Sequence, residues 1–159
     1  MSVIVQKVRP ERTMWRDAAL SLRHREWGFN CPAVDIDFIM AEFDHSAPVA
    51  LVEYKHCTAA PVDPQSPSMQ ALRLLADNYS PGALPFIVAF YDPDQWSFKV
   101  TPMNKKAEAH YRHCLGEVLS ERRFVKSLYA MRSKEFDSEM ENSLNASKAF
   151  GIFTKEHVI

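Results

Sequence analysis

The sequence predicts an α/β fold, a three-layer sandwich in which helices flank a central mixed β-sheet. The first observation behind this prediction is the order of elements along the chain, which is helix, hairpin, helix and strand pair. The second is size: 159 residues, 47% of them apolar and 25% charged, suit one compact domain with its own core. We therefore expect residues 1–159 to form a single domain, with a core over about 10–102 and C-terminal helices over about 103–159.

The N-terminal residues predict a short strand or arm at 2–8 and a helix over about 10–27, which Gly28 would end. The last turn of this helix is basic. Arg23 and Arg25 are candidate substrate-binding residues that would contact phosphates. The alternative is a solvated helix end, since the macrodipole favours cations there.

A β-hairpin is predicted over residues 35–57. Two apolar runs flank residues 44–47, whose polar and small side chains suit a tight reversal. Glu42 lies near the end of the first run, and we expect it to be a solvated residue at the sheet's edge.

Four charged residues stand in this hairpin where an apolar core pattern would be expected. Because side chains alternate across a strand, Asp35 and Asp37 share one face, and so do Glu53 and Lys55. Pairing around the turn would bring the four together at one end of the sheet. Two adjacent carboxylates repel each other, and a divalent cation such as Mg²⁺ or Mn²⁺ offsets that repulsion through hard oxygen ligands.

Asp37, followed sixteen positions later by Glu53-Tyr54-Lys55, resembles the Asp…Glu-x-Lys signature of the PD-(D/E)XK nuclease superfamily. Restriction enzymes, Holliday-junction resolvases and RecB-type nucleases share that fold. The resemblance covers roughly residues 10–102, where the predicted elements follow the superfamily's order. It implies a restriction endonuclease-like core.

One departure from the superfamily pattern leaves the choice of aspartate open. No proline directly precedes the aspartate, since Pro32 lies three residues before Asp35. We favour Asp37 because an apolar run, residues 38–40, follows it, as is usual for the superfamily's aspartate. Asp35 is then a second ligand or a structural neighbour.

The resemblance implies a metal-dependent deoxyribonuclease with Mg²⁺ or Mn²⁺ as cofactor and DNA as partner. Asp37 and Glu53 would hold the metal together with the backbone carbonyl of Tyr54, and Lys55 would position the attacking water. Superfamily members often add an acid from the first helix. The spacing does not choose among the candidates, which are Glu11, Asp17 and Glu26.

The second helix begins at Ser66-Pro67, an N-cap followed by a proline at the first helical position. Gln70 matches the position of a glutamine that lies beside the metal in RecB-like members. Arg73 is a candidate phosphate contact. For both residues the alternative is an ordinary exposed polar side chain on a helix.

The continuous apolar run from Leu84 to Tyr91 predicts a central strand that is buried on both faces. Residues 96–100 alternate in polarity and predict a more exposed strand towards the edge of the sheet. Asn104 and Ser120 are predicted to cap two further helices. Residues 134–149 have weak periodicity, which indicates a loosely held helix or tail.

Charge and cysteine content bear on how the protein would bind DNA and on its cellular compartment. The formal net charge of −1 gives no global basic surface, so DNA binding would depend on local basic patches and metal. Three cysteines without a Cys-x-x-Cys pair, and no export signal, favour a reducing cytoplasm. No apolar stretch is long enough to cross a membrane.

The sequence leaves two alternatives to a nuclease. A nuclease-like domain without catalysis would serve nucleic-acid binding or protein assembly, with Glu53 and Lys55 as a plain ion pair. An α/β enzyme of another class lacks support, since the chain has neither a Gly-rich phosphate loop nor a Gly-x-Ser-x-Gly motif. For a nuclease, a symmetric homodimer would suit paired cuts on two strands.

Overall fold

The computed structural model describes residues 36–42 and 44–149. The strands are β1 (Phe38–Glu42), β2 (Ala47–His56), β3 (Phe86–Asp92), β4 (Ser97–Pro102) and β5 (Val118–Ser120). The helices are α1 (Pro67–Asp77), α2 (Lys105–Tyr111), α3 (Glu121–Met131) and α4 (Ser138–Ala149). The described strands form one sheet in the order β1-β2-β3-β4-β5, and among them β2–β3 is the one parallel pair. This arrangement confirms the predicted α/β class with a mixed sheet. The strand or arm at 2–8 and the helix at 10–27 lie outside the described residues.

Alternation of side chains gives the sheet two different apolar faces. One face, which we call the α1 face, packs on that helix through a buried cluster: Leu51, Met69, Leu72, Ala76, Leu84, Phe86, Val88 and Met103. The opposite face packs on α2 and α3 through a second cluster: Val52, Ile87, Ala89, Phe98, Val100, Ala107, Tyr111, Leu119 and Phe124. Residues 86–89 of β3 are buried on both sides, as their continuous apolar run predicts.

All three helices with predicted caps begin at the predicted residue, and two of the three caps form a side-chain hydrogen bond. The Asn104 side chain accepts the Ala107 N–H at 3.0 Å and the Phe86 N–H at 3.1 Å, so the cap also ties α2 to β3. The Ser120 hydroxyl accepts the Arg123 N–H at 3.4 Å. Ser66 occupies the N-cap of α1 as predicted, without a side-chain cap bond, and Pro67 stands at the first helical position.

The predicted hairpin is present, with its turn at residues 44–46 and a left-handed Ser46 at φ 52°. The expectation for residues 96–100 was correct in one part and wrong in the other. Residues 97–100 lie in β4, whose burial alternates as predicted, but β4 is flanked by β3 and β5 and is therefore not an edge strand of the described sheet. The three-residue β5 takes that place, and so short a strand leaves too little alternation in the sequence to be detected.

Candidate functional site

The candidate site lies where the β1–β2 ladder ends. The last backbone pair in that direction joins Phe38 to Val52, so Asp37 stands just beyond the ladder. Its carboxylate Oδ2 accepts the Tyr54 N–H at 2.9 Å, while the Asp37 N–H donates to Glu53 Oε1 at 3.1 Å. We call this reciprocal pair of bonds the Asp37–Glu53 clasp. The clasp brings together the two carboxylates that the sequence motif singled out.

Glu53 is buried, with 5% of its surface exposed, although it carries a carboxyl group. Burial raises its pKa above the ordinary value, and the neighbouring Asp37 carboxylate raises it further. The Asp37 N–H and the charge of Lys55 act in the opposite direction and do not cancel the rise. A buried carboxylate beside a second carboxylate is an electrostatic arrangement that a bound cation relieves.

The backbone of β2 places a carbonyl beside the two carboxylates. Leu51 and Cys57 donate their N–H groups towards β3, to the carbonyls of Pro85 and Tyr91 at 3.0 and 2.8 Å. Backbone groups alternate between the two sides of a strand, and the N–H and C=O of one residue point the same way. Because the Tyr54 N–H bonds to Asp37, its carbonyl faces the same side, beyond the end of β1. This is the carbonyl that the resemblance assigns to the metal.

Lys55 lies on the same face of β2 as Glu53 and is half-buried. Its positive charge lowers the pKa of Glu53. Within residues 36–42 and 44–149, its amino group forms no salt bridge.

The chemistry of these donors fits Mg²⁺ or Mn²⁺, since carboxylate and carbonyl oxygens are the ligands that hard cations prefer. The described part of the chain supplies two carboxylates here, and it holds no group of three or more His, Cys, Asp or Glu side chains arranged for a metal. The other predicted ligands, Asp35 and the first-helix acids including Glu26, lie outside the described residues. So do the candidate phosphate contacts Arg23 and Arg25.

Gln70 and Arg73 lie on α1, which packs on the same face of the sheet that carries Glu53. The Gln70 amide donates to the Gln65 carbonyl at 2.7 Å and to Gln65 Oε1 at 3.3 Å, so it fixes the loop that precedes the helix. Arg73 is partly buried. Their roles beside the metal and on a phosphate stay predictions.

Glu42 is buried, so the expectation of a solvated side chain at this position was wrong. It is 7% exposed, and its carboxylate accepts the Asp44 N–H at 3.2 Å and an Arg132 N–H at 2.9 Å. These two hydrogen bonds, in that order, hold its pKa below the ordinary value. Arg132 lies ninety positions away, so no local pattern could have revealed the pairing. This buried glutamate belongs to the structure of the hairpin rather than to the site.

Comparison of the chain with protein-family models, curated proteins and solved structures gives no match. The resemblance to the nuclease superfamily therefore depends on the motif, the order of elements and the geometry of the clasp. Within the described ranges, no helix is long and apolar enough to cross a membrane.

Proposed function

We propose that the protein is a metal-dependent nuclease that hydrolyses phosphodiester bonds in DNA. The observation that carries the proposal is the Asp37–Glu53 clasp, which joins two carboxylates at a strand end next to a lysine. The order of strands agrees with it, since the hairpin is followed by a helix and by the parallel neighbour β3.

Asp37 and Glu53 would hold Mg²⁺ or Mn²⁺ through their carboxylate oxygens, and Tyr54 through its carbonyl. When bound, such an ion polarises a phosphate oxygen and lowers the pKa of water. The burial of Glu53 strengthens its attraction for a cation, because charges interact more strongly where water is excluded.

Lys55 has two tasks in this proposal. Its ammonium orients the attacking water by hydrogen bonding, and it stabilises the negative charge that develops on the phosphate. Two carboxylates alone would repel the DNA backbone. Cleavage should therefore depend strictly on added metal.

The test is cleavage of supercoiled, linear and single-stranded DNA by the purified protein with Mg²⁺, Mn²⁺ or chelator. Glu53→Gln and Lys55→Ala are assayed beside Lys106→Ala, a matched control at an exposed position on α2. We expect metal-dependent cutting that both site variants lose and the control keeps. Cutting by chelator-treated protein, or full activity in Glu53→Gln, would contradict the proposal.

A second candidate function is a nuclease-fold module that binds nucleic acid or a protein partner without catalysis. The observation in its favour is that both carboxylates of the clasp already have backbone N–H partners, so the clasp can serve as a latch that closes the hairpin. A latch would not bind Mn²⁺, whereas the proposed nuclease site would.

A further inference from the structure

A groove lies beside the candidate site on the α1 face of the sheet. The register aligns four residues in one row across neighbouring strands, where Lys55 pairs with Phe90, Phe90 with Lys99, and Lys99 with Val118. Directly paired residues point to the same face, and neighbouring strands lie about 4.8 Å apart. The backbone of Lys99 is thus about 10 Å from that of Lys55, two strands away.

Helix α1 leaves this part of the face open. It packs against β2 and β3, while α2 and α3 cover the opposite face of the sheet. On the α1 face of β4 and β5, Lys99 and Thr101 are exposed, and Val118 is 64% exposed. Strands that are buried on one face only therefore provide an accessible floor next to the motif.

The floor and one wall border an open cavity of about 510 Å³. The floor includes Phe90, Lys99 and Thr101. The wall is the loop that leaves β2, and its lining residues are Cys57, Ala59, Pro61 and Val62. This volume is in the range of pockets that hold small organic ligands. The wall continues from the strand that carries Glu53 and Lys55, so the cavity and the candidate site share an element.

The chemistry of the lining suits a nucleotide. Phe90 is half-buried and packs partly against the α1-face cluster, so it offers its remaining aromatic surface to a base, and Lys99 offers an ammonium group for a phosphate. Asp92 also lines the cavity, and its Oδ1 accepts the Asp94 and Gln95 N–H groups at 2.9 and 3.3 Å. The two lysines of the row stand on either side of the aromatic residue.

We propose that this groove binds an unpaired nucleotide of single-stranded DNA, with its base against Phe90 and an adjoining phosphate on Lys99, so that the strand runs across the sheet towards Lys55. The proposal rests on the nuclease function above and adds a substrate preference to it. A base inside a duplex is stacked between its neighbours and has no free face for Phe90, so single strands should bind better than duplexes.

The test measures binding by fluorescence anisotropy, using chelator-treated full-length protein, labelled single-stranded oligothymidylate and a duplex of equal length. Lys99→Ala should weaken single-strand binding about tenfold and reduce the salt slope by about 0.7, the value for one lost phosphate contact. Phe90→Leu keeps an apolar side chain and should weaken binding about fivefold by losing stacking. Lys106→Ala is the control, and thermal melts establish that each variant is folded.

Cys57 gives an independent readout, because it is exposed and lines the groove. Oligothymidylate should slow its alkylation by iodoacetamide, followed by peptide mass spectrometry, in the wild type and not in Lys99→Ala. Cys114 packs with the cluster on the opposite face and should react at the same rate with and without DNA.

If Lys99→Ala and Phe90→Leu both bind single-stranded DNA with wild-type affinity, the proposed binding in the groove is wrong. Equal affinity for the duplex, or competition by thymidine monophosphate at the same concentration as the oligonucleotide, would also contradict it. Because binding is measured without metal, the two proposals fail separately. If the protein binds DNA in the groove but does not cut it with metal, only the proposed nuclease function is refuted. If it cuts DNA with metal but both variants bind as well as the wild type, only the proposed groove binding is refuted.

Discussion

Two buried glutamates, one on each strand of the hairpin, have opposite surroundings. Glu42 in β1 and Glu53 in β2 are 7% and 5% exposed. Glu42 meets the guanidinium of Arg132 at 2.9 Å. Glu53 instead meets the backbone N–H of Asp37, whose own carboxylate lies close by.

The difference appears in the proton affinity of the two groups. The pKa of Glu42 is lowered by its hydrogen bonds, first from Asp44 and then from Arg132. The pKa of Glu53 is raised, first by burial and then by the Asp37 charge. A buried carboxylate with a built-in cation holds the fold together. One that faces a second carboxylate is suited to a cation from outside.

The largest expected difference between the two glutamates is in catalysis. Glu53→Gln should reduce the rate of DNA cleavage by at least about 10²–10³-fold, because it removes one of the two carboxylates that would hold the metal and with it the charge stabilisation that the metal supplies. Glu42→Gln should leave kcat nearly unchanged, because its side chain serves the hairpin. Initial rates of cleavage of supercoiled DNA in Mn²⁺ are measured for both variants. An equal loss of rate in the two would show that Glu53 has no special role in catalysis.

Stability should show the reverse order. Glu42→Gln gives up the charge-assisted bond to Arg132 and leaves that guanidinium without its carboxylate, so Tm should fall by several degrees at neutral pH. Glu53→Gln removes a buried negative charge and keeps an oxygen for the Asp37 N–H, so Tm should stay the same or rise. Thermal melts of the two variants in chelator measure these changes in Tm. A larger fall in Tm for Glu53→Gln than for Glu42→Gln would contradict the structural role assigned to Glu42.

The two glutamates should also give opposite dependence on pH. Glu42, with its lowered pKa, adds stability above the ordinary value of 4.5 that is lost as pH falls through the folded-state pKa. Glu53, with its raised pKa, favours folding fully below 4.5, and this contribution is lost as pH rises through its folded-state pKa. The Tm advantage of wild type over Glu42→Gln should therefore shrink below pH 4.5, whereas that of Glu53→Gln over wild type should grow above it. The measurement is Tm against pH for wild type and both variants. If the difference in Tm from wild type changes with pH in the same way for both variants, this prediction is wrong.

The smallest effect is expected at Lys134. Its amino group lies 3.9 Å from the Glu42 carboxylate and 3.3 Å from that of Asp44, with 46% of its side chain exposed. Exposed ion pairs contribute little, since water screens them and the side chains lose freedom. Lys134→Ala should leave Tm within error of the wild type. A loss as large as that in Glu42→Gln would mean that Arg132 is not the main partner of Glu42.

Local signals in the sequence predicted most of the described fold. The proline-led start at Ser66-Pro67, the cap at Asn104 and the apolar run from Leu84 each gave an element close to its observed bounds. These signals act over a few residues, which is why a sequence pattern reveals them. The β5 strand was missed because three residues contain too little periodicity.

The candidate site was predictable in part. Hairpin pairing around residues 44–47 was enough to place Asp37 near Glu53, but not to show that each carboxylate bonds the other segment's backbone. The Glu42–Arg132 pair depends on a contact between residues ninety positions apart. The row from Lys55 to Lys99 depends on the register of three strands. Such long-range relations require the folded sheet.

The most direct test of the central claim is Mn²⁺ binding to the purified protein, measured by the loss of the free-ion signal in electron paramagnetic resonance. Wild-type protein and Glu42→Gln should bind Mn²⁺ with similar affinity, whereas Asp37→Asn and Glu53→Gln should not bind at this site. Such a result would establish that the clasp holds a cation. Equal binding by all four proteins, or no binding by the folded wild type, would show that the two carboxylates are only a structural latch.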